Sequence, residues 1–276
     1  MPKKVKTTSD STTDYSALLD RIKPASEHET SVSALVYGRS GTGKTAFAGT
    51  WPKPALLLDI REKGTETISQ VEDIEVLRIE RWEEFEQIYW YLASGDDKYK
   101  TIIVDQISNL QMLAMEKVRR DDNLSESDTF SKRNWGQVSG MLQTWLFHYR
   151  DLVDRDKHIL FIAHEKTISS DEAVEEQLDP NIGARLMPSV VGSINGAVSV
   201  IGNTFIRETF VGDDNARVVQ YCMRLGPHAY YTTKIRQPPD SETIDVMVNP
   251  TFEKIRSIMR GEGVKKGKRV VKKGEK

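Results

Sequence analysis

Short apolar runs alternate with segments of helical periodicity between residues 30 and 163. Each run is apolar at nearly every position, which is typical of strands that are buried on both faces of a sheet. Apolar side chains that recur at helical spacing predict helices over residues 82–92 and 135–153. Strands that alternate with helices predict an α/β fold, a mostly parallel sheet flanked by helices. The five strands are predicted at residues 32–37, 55–60, 74–79, 101–105 and 158–163.

The pattern changes after residue 163. Residues 165–185 are acidic and rich in turn-forming residues. Beyond them apolar and polar residues alternate, which predicts an antiparallel extension of the sheet in the C-terminal third. Its strands are predicted near residues 197–208, 218–225 and 230–235. We therefore predict three parts: a flexible N-terminal tail at 1–30, one α/β domain at 31–258, and a basic disordered tail at 259–276.

The composition is that of a globular protein, and we expect it to be cytoplasmic. Hydrophobic residues make up 38% of the 276 residues and charged residues 29%, which leaves enough apolar material for a sizeable core. No apolar run approaches the roughly 20 residues that a membrane-spanning helix needs, and the N-terminus lacks the apolar stretch of a signal peptide. We therefore expect no membrane partner. The single cysteine, Cys222, can form neither an internal disulfide nor a cysteine-rich metal site, and we interpret it as structural.

The positive charge is concentrated at the C-terminus. Residues 264–276 hold seven Lys or Arg and one Glu, a local balance of +6 in a chain whose net charge is −2, so the preceding residues sum to −8. One interpretation is a disordered arm that neutralises nucleic-acid phosphates. The other is a terminus that only increases solubility. The sequence leaves both open.

Residues 38–45 match the phosphate-loop pattern G-x-x-x-x-G-K-[ST] at every fixed position, between an apolar strand and a helical segment. In such a loop the backbone N–H groups cradle phosphates, and the glycines let the backbone close around the anion. The lysine contacts the β and γ phosphates, and the hydroxyl of the last residue ligates Mg²⁺. The sequence thus predicts a site for ATP or another nucleoside triphosphate with Mg²⁺. Its residues are Gly38, Arg39, Ser40, Gly41, Thr42, Gly43, Lys44 and Thr45.

Asp105 ends the apolar strand at 101–105 and is the natural Walker B acid. A carboxylate at this position can hold Mg²⁺, usually through water, because this ion keeps much of its hydration. The alternative is a strand-ending aspartate that caps the next helix. The strand at 56–59 is predicted to intervene between the phosphate loop and Asp105. This arrangement resembles the RecA and AAA branch of phosphate-loop proteins and differs from the simpler kinase-like folds.

Three further elements resemble RecA-like ATPases. The strand LLLD followed by REKG resembles their second strand, in which an acidic residue polarises the attacking water. The resemblance implies that Glu62 is the general base, with Asp59 as the alternative because the glutamate commonly lies closer to the strand in such families. His164 follows the strand HILFIA, at the position of a polar sensor of the γ-phosphate. Lys234 and Arg236 resemble the K-x-R element that related proteins project into a neighbour's ATP site.

Each of these assignments has a plainer alternative. Glu62 and Asp59 could be solvated loop acids, His164 a surface histidine at a strand end, and Lys234 and Arg236 a solvated basic pair. It is the order of the elements, over residues 30–240, that resembles the small RecA-like ATPases of bacteriophages, some of which are single-strand annealing recombination proteins. That resemblance implies a RecA-like core, ATP hydrolysis with Mg²⁺, self-association into a ring or filament, and the cytoplasm of a bacterial host.

Two functional hypotheses follow. The first is a DNA-dependent ATPase of recombination or annealing, in which the basic tail and the cations Arg119, Arg120, Lys132 and Arg133, beside Trp135, bind single-stranded DNA. The second is a nucleotide-switched assembly or partner-binding ATPase with no direct DNA contact, which the acidic character of residues 165–185 favours. A helicase or packaging motor is a weaker third, because no accessory domain for loading or translocation is evident.

Overall fold

The computed structural model describes residues 31–95, 98–167, 182–211, 216–241 and 244–262, together with Leu19, Ile22 and Pro24. The chain divides into two compact units after Thr30, and the elements named here belong to the second. Its strands are β1 Ser33–Gly38, β2 Ala55–Asp59, β3 Ile74–Arg78, β4 Thr101–Asp105, β5 His158–Thr167, β6 Ile182–Ala184, β7 Val200–Val211, β8 Ala216–Arg224, β9 Lys234–Ile235 and β10 Val246–Val248. Its α-helices are α1 Lys44–Ala48, α2 Trp82–Ala93, α3 Ile107–Asp121, α4 Lys132–Arg150, α5 Pro188–Ala197 and α6 Phe252–Met259.

The strands form one sheet in the order β10-β8-β7-β1-β5-β4-β2-β3, with β6 beside β5 and β9 beside β7. All neighbours from β7 to β3 along this path are parallel. The pairs β7–β8 and β8–β10 are antiparallel. The predicted α/β fold, with its mostly parallel sheet and antiparallel C-terminal extension, is therefore confirmed. β7 belongs to both parts, since it runs parallel to β1 and antiparallel to β8.

Helices cover both faces of the central strands, as the continuous apolar runs predict. Successive side chains of a strand point to opposite faces, so Leu35 and Tyr37 of β1 enter the core beneath α2 to α5, whereas Ala34 and Val36 enter the core beneath α1 and α6. Within the part of the chain that the structure describes, no helix is long and apolar enough to cross a membrane. Cys222 is buried in β8, in agreement with a structural residue.

Two expectations are corrected by the strand order. β3 is not covered on both faces: among the described strands it pairs only with β2, at the edge of the sheet, and Val76 and Leu77 are exposed. The strand at 56–59 intervenes between the phosphate loop and Asp105 along the chain but not in the sheet. There β5 separates β1 from β4, and β2 lies beyond β4. The pairing of β5 with β1 and with β4, which are distant in sequence, therefore determines the strand order next to the phosphate loop.

Candidate active site

The predicted site residues meet at the carboxyl edge of the parallel sheet. Gly38, which ends β1, pairs in register with His164 of β5, and Asp105, which ends β4, pairs with Asp59 of β2. An open cavity of about 580 Å³ lies at this edge, and such crevices beyond the carboxyl ends of strands are where open α/β sheets bind ligands. The lining includes Lys44, Thr45, Glu62, Asp105, Tyr221 and Asn249.

The phosphate loop depends on its glycines for different reasons. Gly41 and Gly43 have φ angles of 79° and 85°, in the left-handed region that glycine occupies without strain. Gly38 packs so closely that an added Cβ atom would lie 2.3 Å from the Thr204 hydroxyl oxygen. The Lys44 ammonium donates to the carbonyl oxygens of Gly38 and Arg39, at 2.9 and 2.8 Å. The Lys44 ammonium is therefore bound to backbone carbonyls of its own loop, at the position where phosphate oxygens would contact it.

Other loop residues have supporting roles. The Thr42 hydroxyl contacts that of Thr204 on β7 at 2.7 Å and donates to the Arg39 carbonyl, which ties the loop to the sheet. The Arg39 side chain is exposed, whereas Ser40 lines the cavity. α1 is only five residues long, so anion binding here depends on the loop amides and Lys44 more than on a helix macrodipole.

Thr45 and Asp105 form the predicted metal-ligand pair. The Thr45 hydroxyl donates to Oδ2 of Asp105 at 3.2 Å, so two oxygen ligands of the kind that Mg²⁺ prefers lie side by side. Burial of Asp105, and the nearby Glu62 carboxylate, raise the pKa of Asp105 to about 6. A divalent cation would favour the ionised form that burial opposes. The residues present therefore fit the metal.

The raised pKa of Asp105 makes stability depend on pH. A carboxyl group that holds its proton more tightly when folded stabilises the fold at low pH, and this contribution disappears as pH rises from about 4 to about 6. The Asp105→Asn variant cannot ionise. At pH 8, with Mg²⁺ chelated, we expect it to be more stable than the wild type by roughly 2 to 3 kcal/mol, and at pH 4 nearly equal to it. Urea unfolding of both proteins at the two pH values measures this, and the same difference at both would contradict it.

Glu62 lies in a turn that the protein holds firmly. The buried Asp59 carboxylate accepts hydrogen bonds from the backbone N–H groups of Glu62 and Lys63, at 2.9 and 3.0 Å. Arg61 donates through both terminal nitrogens to Glu116 of α3, at 2.6 and 2.9 Å. Arg61 and Lys63 also have positive φ angles, 56° and 55°, a strained backbone of the kind that clusters at functional sites. Asp59 and Arg61 therefore position the turn, and Glu62, unlike Asp59, lines the cavity.

Gln106 is a site residue that the sequence motifs did not identify. Its side-chain nitrogen donates to the Glu62 carboxylate and lies 2.7 Å from Nε2 of His164. Burial and the charge of Lys44 lower the pKa of His164, so its imidazole is neutral at physiological pH, and Nε2 accepts the Gln106 hydrogen bond. His164 is thus connected to Glu62 through one side chain. The available signal was the position of Gln106, directly after Asp105, the predicted Walker B residue.

Comparison with known protein families agrees with this geometry. A family model described as the AAA domain matches residues 30–237. The chain belongs to the AAA domain family. Its members are P-loop ATPases of the AAA type, and the matched range contains the phosphate loop, Glu62, Asp105 and His164. No curated protein matches the sequence.

Lys234 and Arg236 lie at the opposite edge of the sheet of the AAA domain. β9 pairs with the start of β7, where Ile201 faces Lys234 and the Arg236 N–H donates to the Ser199 carbonyl. Both side chains bind the last carbonyls of α5: Lys234 donates to Asn195 at 2.6 Å, and Arg236 donates to Gly196 at 3.2 Å. These carbonyls have no partner within the helix, and cations stabilise that end. In one subunit the pair caps a helix, and its role in a neighbour's site stays a prediction.

The predicted cationic surface is smaller than the sequence indicates. Arg120 donates to both carboxylate oxygens of Glu83, at 2.9 and 3.1 Å. Arg119 donates to the carbonyls of Ser125 and Asp128, with its guanidinium 4.6 Å from the Phe130 ring centroid. These two arginines therefore organise the segment before α4. Lys132, Arg133 and Trp135 remain exposed in the first turn of α4. The basic residues 264–276 and most of the acidic segment 165–185 lie outside the described residues.

Proposed function

We propose that this AAA domain hydrolyses ATP in a magnesium-dependent reaction at the cavity beyond β1 and β4. One observation supports the proposal above all. Lys44 and Thr45 at the start of α1, Glu62 after β2 and Asp105 at the end of β4 line the same cavity. A cation for phosphate, two oxygen ligands for a metal and a carboxylate base are the groups that phosphoryl transfer to water requires.

The chain's own residues have separable roles in this mechanism. The loop amides and Lys44 bind the β and γ phosphates and stabilise the charge that builds up as the terminal phosphoryl group leaves. Mg²⁺, held by Thr45 and Asp105, would supply further positive charge to the same oxygens. Glu62 accepts the proton of the attacking water. Its side chain is oriented by Gln106, and Asn109 lies 3.5 Å from the same oxygen.

Phosphate release from ATP by the purified protein tests the proposal. We expect steady turnover with Mg²⁺ and none when Mg²⁺ is chelated. Turnover that is indifferent to chelation would contradict the assignment of Thr45 and Asp105, and no turnover under any condition, with ATP bound, would contradict hydrolysis itself.

We also propose that the protein self-associates and that Arg236 acts on a neighbouring subunit. The Arg236 N–H donates to the carbonyl of Ser199, which lies five residues before Thr204, and Thr204 pairs with Gly38. This offset is roughly 16 Å at the rise of a strand, which is beyond the reach of an arginine side chain. Any contact with phosphate must therefore be made in trans, after the side chain leaves the Gly196 carbonyl.

Mixing variants separates this trans role from the helix cap. Arg236→Ala should slow hydrolysis in the assembled protein and leave ATP affinity of the monomer unchanged. Adding the Lys44→Ala variant, which supplies an intact Arg236, should restore part of the activity. If light scattering confirms oligomers and the mixture still recovers no activity, the trans role of Arg236 is contradicted. It is also contradicted if Arg236→Ala loses activity only in proportion to a lower melting temperature.

Single-stranded DNA as an activator is a second candidate, favoured by one surface feature. Lys132, Arg133 and Trp135 are exposed together at the start of α4. Trp135 is 39% exposed, and its ring centroid lies 5.2 Å from that of Phe130. Cations beside an aromatic ring are the usual platform for unpaired bases. We expect recombination or annealing to be the setting of such an activity, as in the phage ATPases that the sequence resembles. The partner-binding alternative requires no DNA affinity.

The salt dependence of DNA affinity decides between the two. If DNA binds here, affinity should fall steeply with salt, and reversing the charge of Lys132 and Arg133 should reduce the slope of log K against log salt by about 1 per cation. Lys100 is exposed at the amino end of β4, so the Lys100→Glu variant is a matched charge reversal with no expected change in the slope. Binding that survives the double reversal and deletion of residues 264–276 would reject this surface.

A further inference from the structure

Tyr221 borders the cavity directly beside the phosphate loop. It lies on β8, opposite Ile206 of β7, and is 47% exposed. A Cβ atom added to Gly43 would lie 2.9 Å from Cδ1 of the Tyr221 ring. The ring therefore packs on the loop backbone next to Lys44, and the part that the loop does not cover lines the cavity.

The neighbouring wall is formed by residues 249–251, between β10 and α6. The Asn249 N–H donates to the Tyr221 carbonyl at 2.7 Å, which joins the two walls. The Lys254 ammonium binds the carbonyls of Val248 and Asn249, at 3.0 and 2.7 Å. The Phe252 N–H donates to the Thr50 hydroxyl oxygen at 3.0 Å, near the end of α1. This wall is therefore fixed to both the sheet and the phosphate-loop helix.

The Asn249 carboxamide is accessible to a ligand in the cavity. It is exposed and lines the cavity, and among the residues that the structure describes no group hydrogen-bonds to it. A carboxamide offers both a donor and an acceptor, so it can pair with the polar edge of a nucleic base. The residues of this wall lie beyond the 30–237 range that matches the AAA domain, so family membership does not assign them.

We propose that Tyr221 and Asn249 form the base subsite of the nucleotide cavity, in which a purine stacks on the Tyr221 ring and its edge faces the Asn249 carboxamide. The inference rests on the proposed ATP site, because the phosphate loop fixes the phosphates and leaves the Tyr221 side for the base. The cavity, at about 580 Å³, is within the usual range for a small-molecule site. Two fused rings cover an aromatic side chain more fully than one, so stacking favours purines over pyrimidines.

Calorimetric titration with ATP, GTP, UTP and inorganic tripolyphosphate, each with Mg²⁺, tests the subsite. Tyr221→Ala should weaken ATP binding roughly 5- to 100-fold, the effect of losing one stacked base, and should narrow the difference between ATP and UTP. Affinity for tripolyphosphate, which has no base, should not change. Tyr221→Phe keeps the ring and should restore ATP affinity. Phe210→Ala, which removes another exposed ring of the β7–β8 hairpin, is the matched control.

Each outcome bears on the proposal. Equal ATP affinity of Tyr221→Ala and the wild type would overturn stacking, and an equal loss for tripolyphosphate would show that the ring only supports the loop. Asn249→Ala should change the ratio of ATP to GTP affinity, and an unchanged ratio would overturn recognition of the base edge. A wild-type protein that binds tripolyphosphate as tightly as ATP would reject the subsite but keep the phosphate site. One that binds neither would reject the proposed ATPase itself.

Discussion

Replacing Lys44 with alanine is expected to lower the rate of ATP hydrolysis by roughly 100-fold or more, the effect of removing one donor that stabilises transition-state charge. The Lys44 ammonium lies over the carbonyls of Gly38 and Arg39, inside the phosphate loop. Burial lowers its pKa, while the Asp105 and Glu62 carboxylates oppose that shift. The cation is therefore partly desolvated, and its attraction for phosphate is stronger than in water.

Both binding and turnover should respond to this substitution. We expect ATP affinity of Lys44→Ala to fall along with the rate, because the ammonium contacts the phosphates in the ground state as well as in the transition state. Lys100→Ala is a suitable control, since Lys100 is exposed at the amino end of β4, on the opposite edge of the sheet. A Lys44→Ala protein that hydrolyses ATP at the wild-type rate would refute the phosphate-loop assignment.

The Glu62→Gln variant is expected to hydrolyse ATP about 10²- to 10⁴-fold more slowly than the wild type, the usual contribution of a general base. Glutamine has nearly the shape of glutamate but cannot accept the proton of the attacking water. Because the substitution removes only this function, ATP affinity should be retained and bound ATP should accumulate. Single-turnover phosphate release, with ATP binding measured in parallel, separates the two effects.

Two controls give this prediction its specificity. Glu66→Gln makes the same change four residues away, on an exposed side chain, and should leave the rate unchanged. Asp59→Asn should lower stability, because the Asp59 carboxylate accepts two backbone hydrogen bonds in the turn. If Glu62→Gln hydrolyses ATP at the normal rate and a folded Asp59→Asn protein does not hydrolyse it, the general base is Asp59 and not Glu62.

The fold was predictable where local pattern determines it. The apolar runs located β1, β2 and β4 within one residue, because buried parallel strands need apolar residues on both faces. β3 has a similar run but lies at the edge, and nothing in a strand's own sequence states how many neighbours it has. α3 was missed, although Leu110, Leu113, Ala114 and Val118 have the spacing of a buried helical face. The strand order depends on pairings between distant residues, such as Gly38 with His164.

The site was predictable to the extent that single residues carry its chemistry. Lys44, Thr45 and Asp105 belong to short motifs whose residue types are fixed by phosphate and metal binding, and the structure brings them together. Gln106 acts through contacts with Glu62 and His164, which lie 44 and 58 residues away. Tyr221 and Asn249 reach the cavity only because β8 and β10 pair at the end of the sheet. Such roles depend on tertiary packing, which a motif does not record.

Phosphate release from ATP by the wild-type protein and the Glu62→Gln variant, with Mg²⁺ present or chelated, is the most direct test of the proposed ATPase. We predict turnover by the wild type only with Mg²⁺, and a variant that binds ATP but releases little phosphate. Equal phosphate release by the two proteins, or release that does not depend on Mg²⁺, would contradict the proposed mechanism.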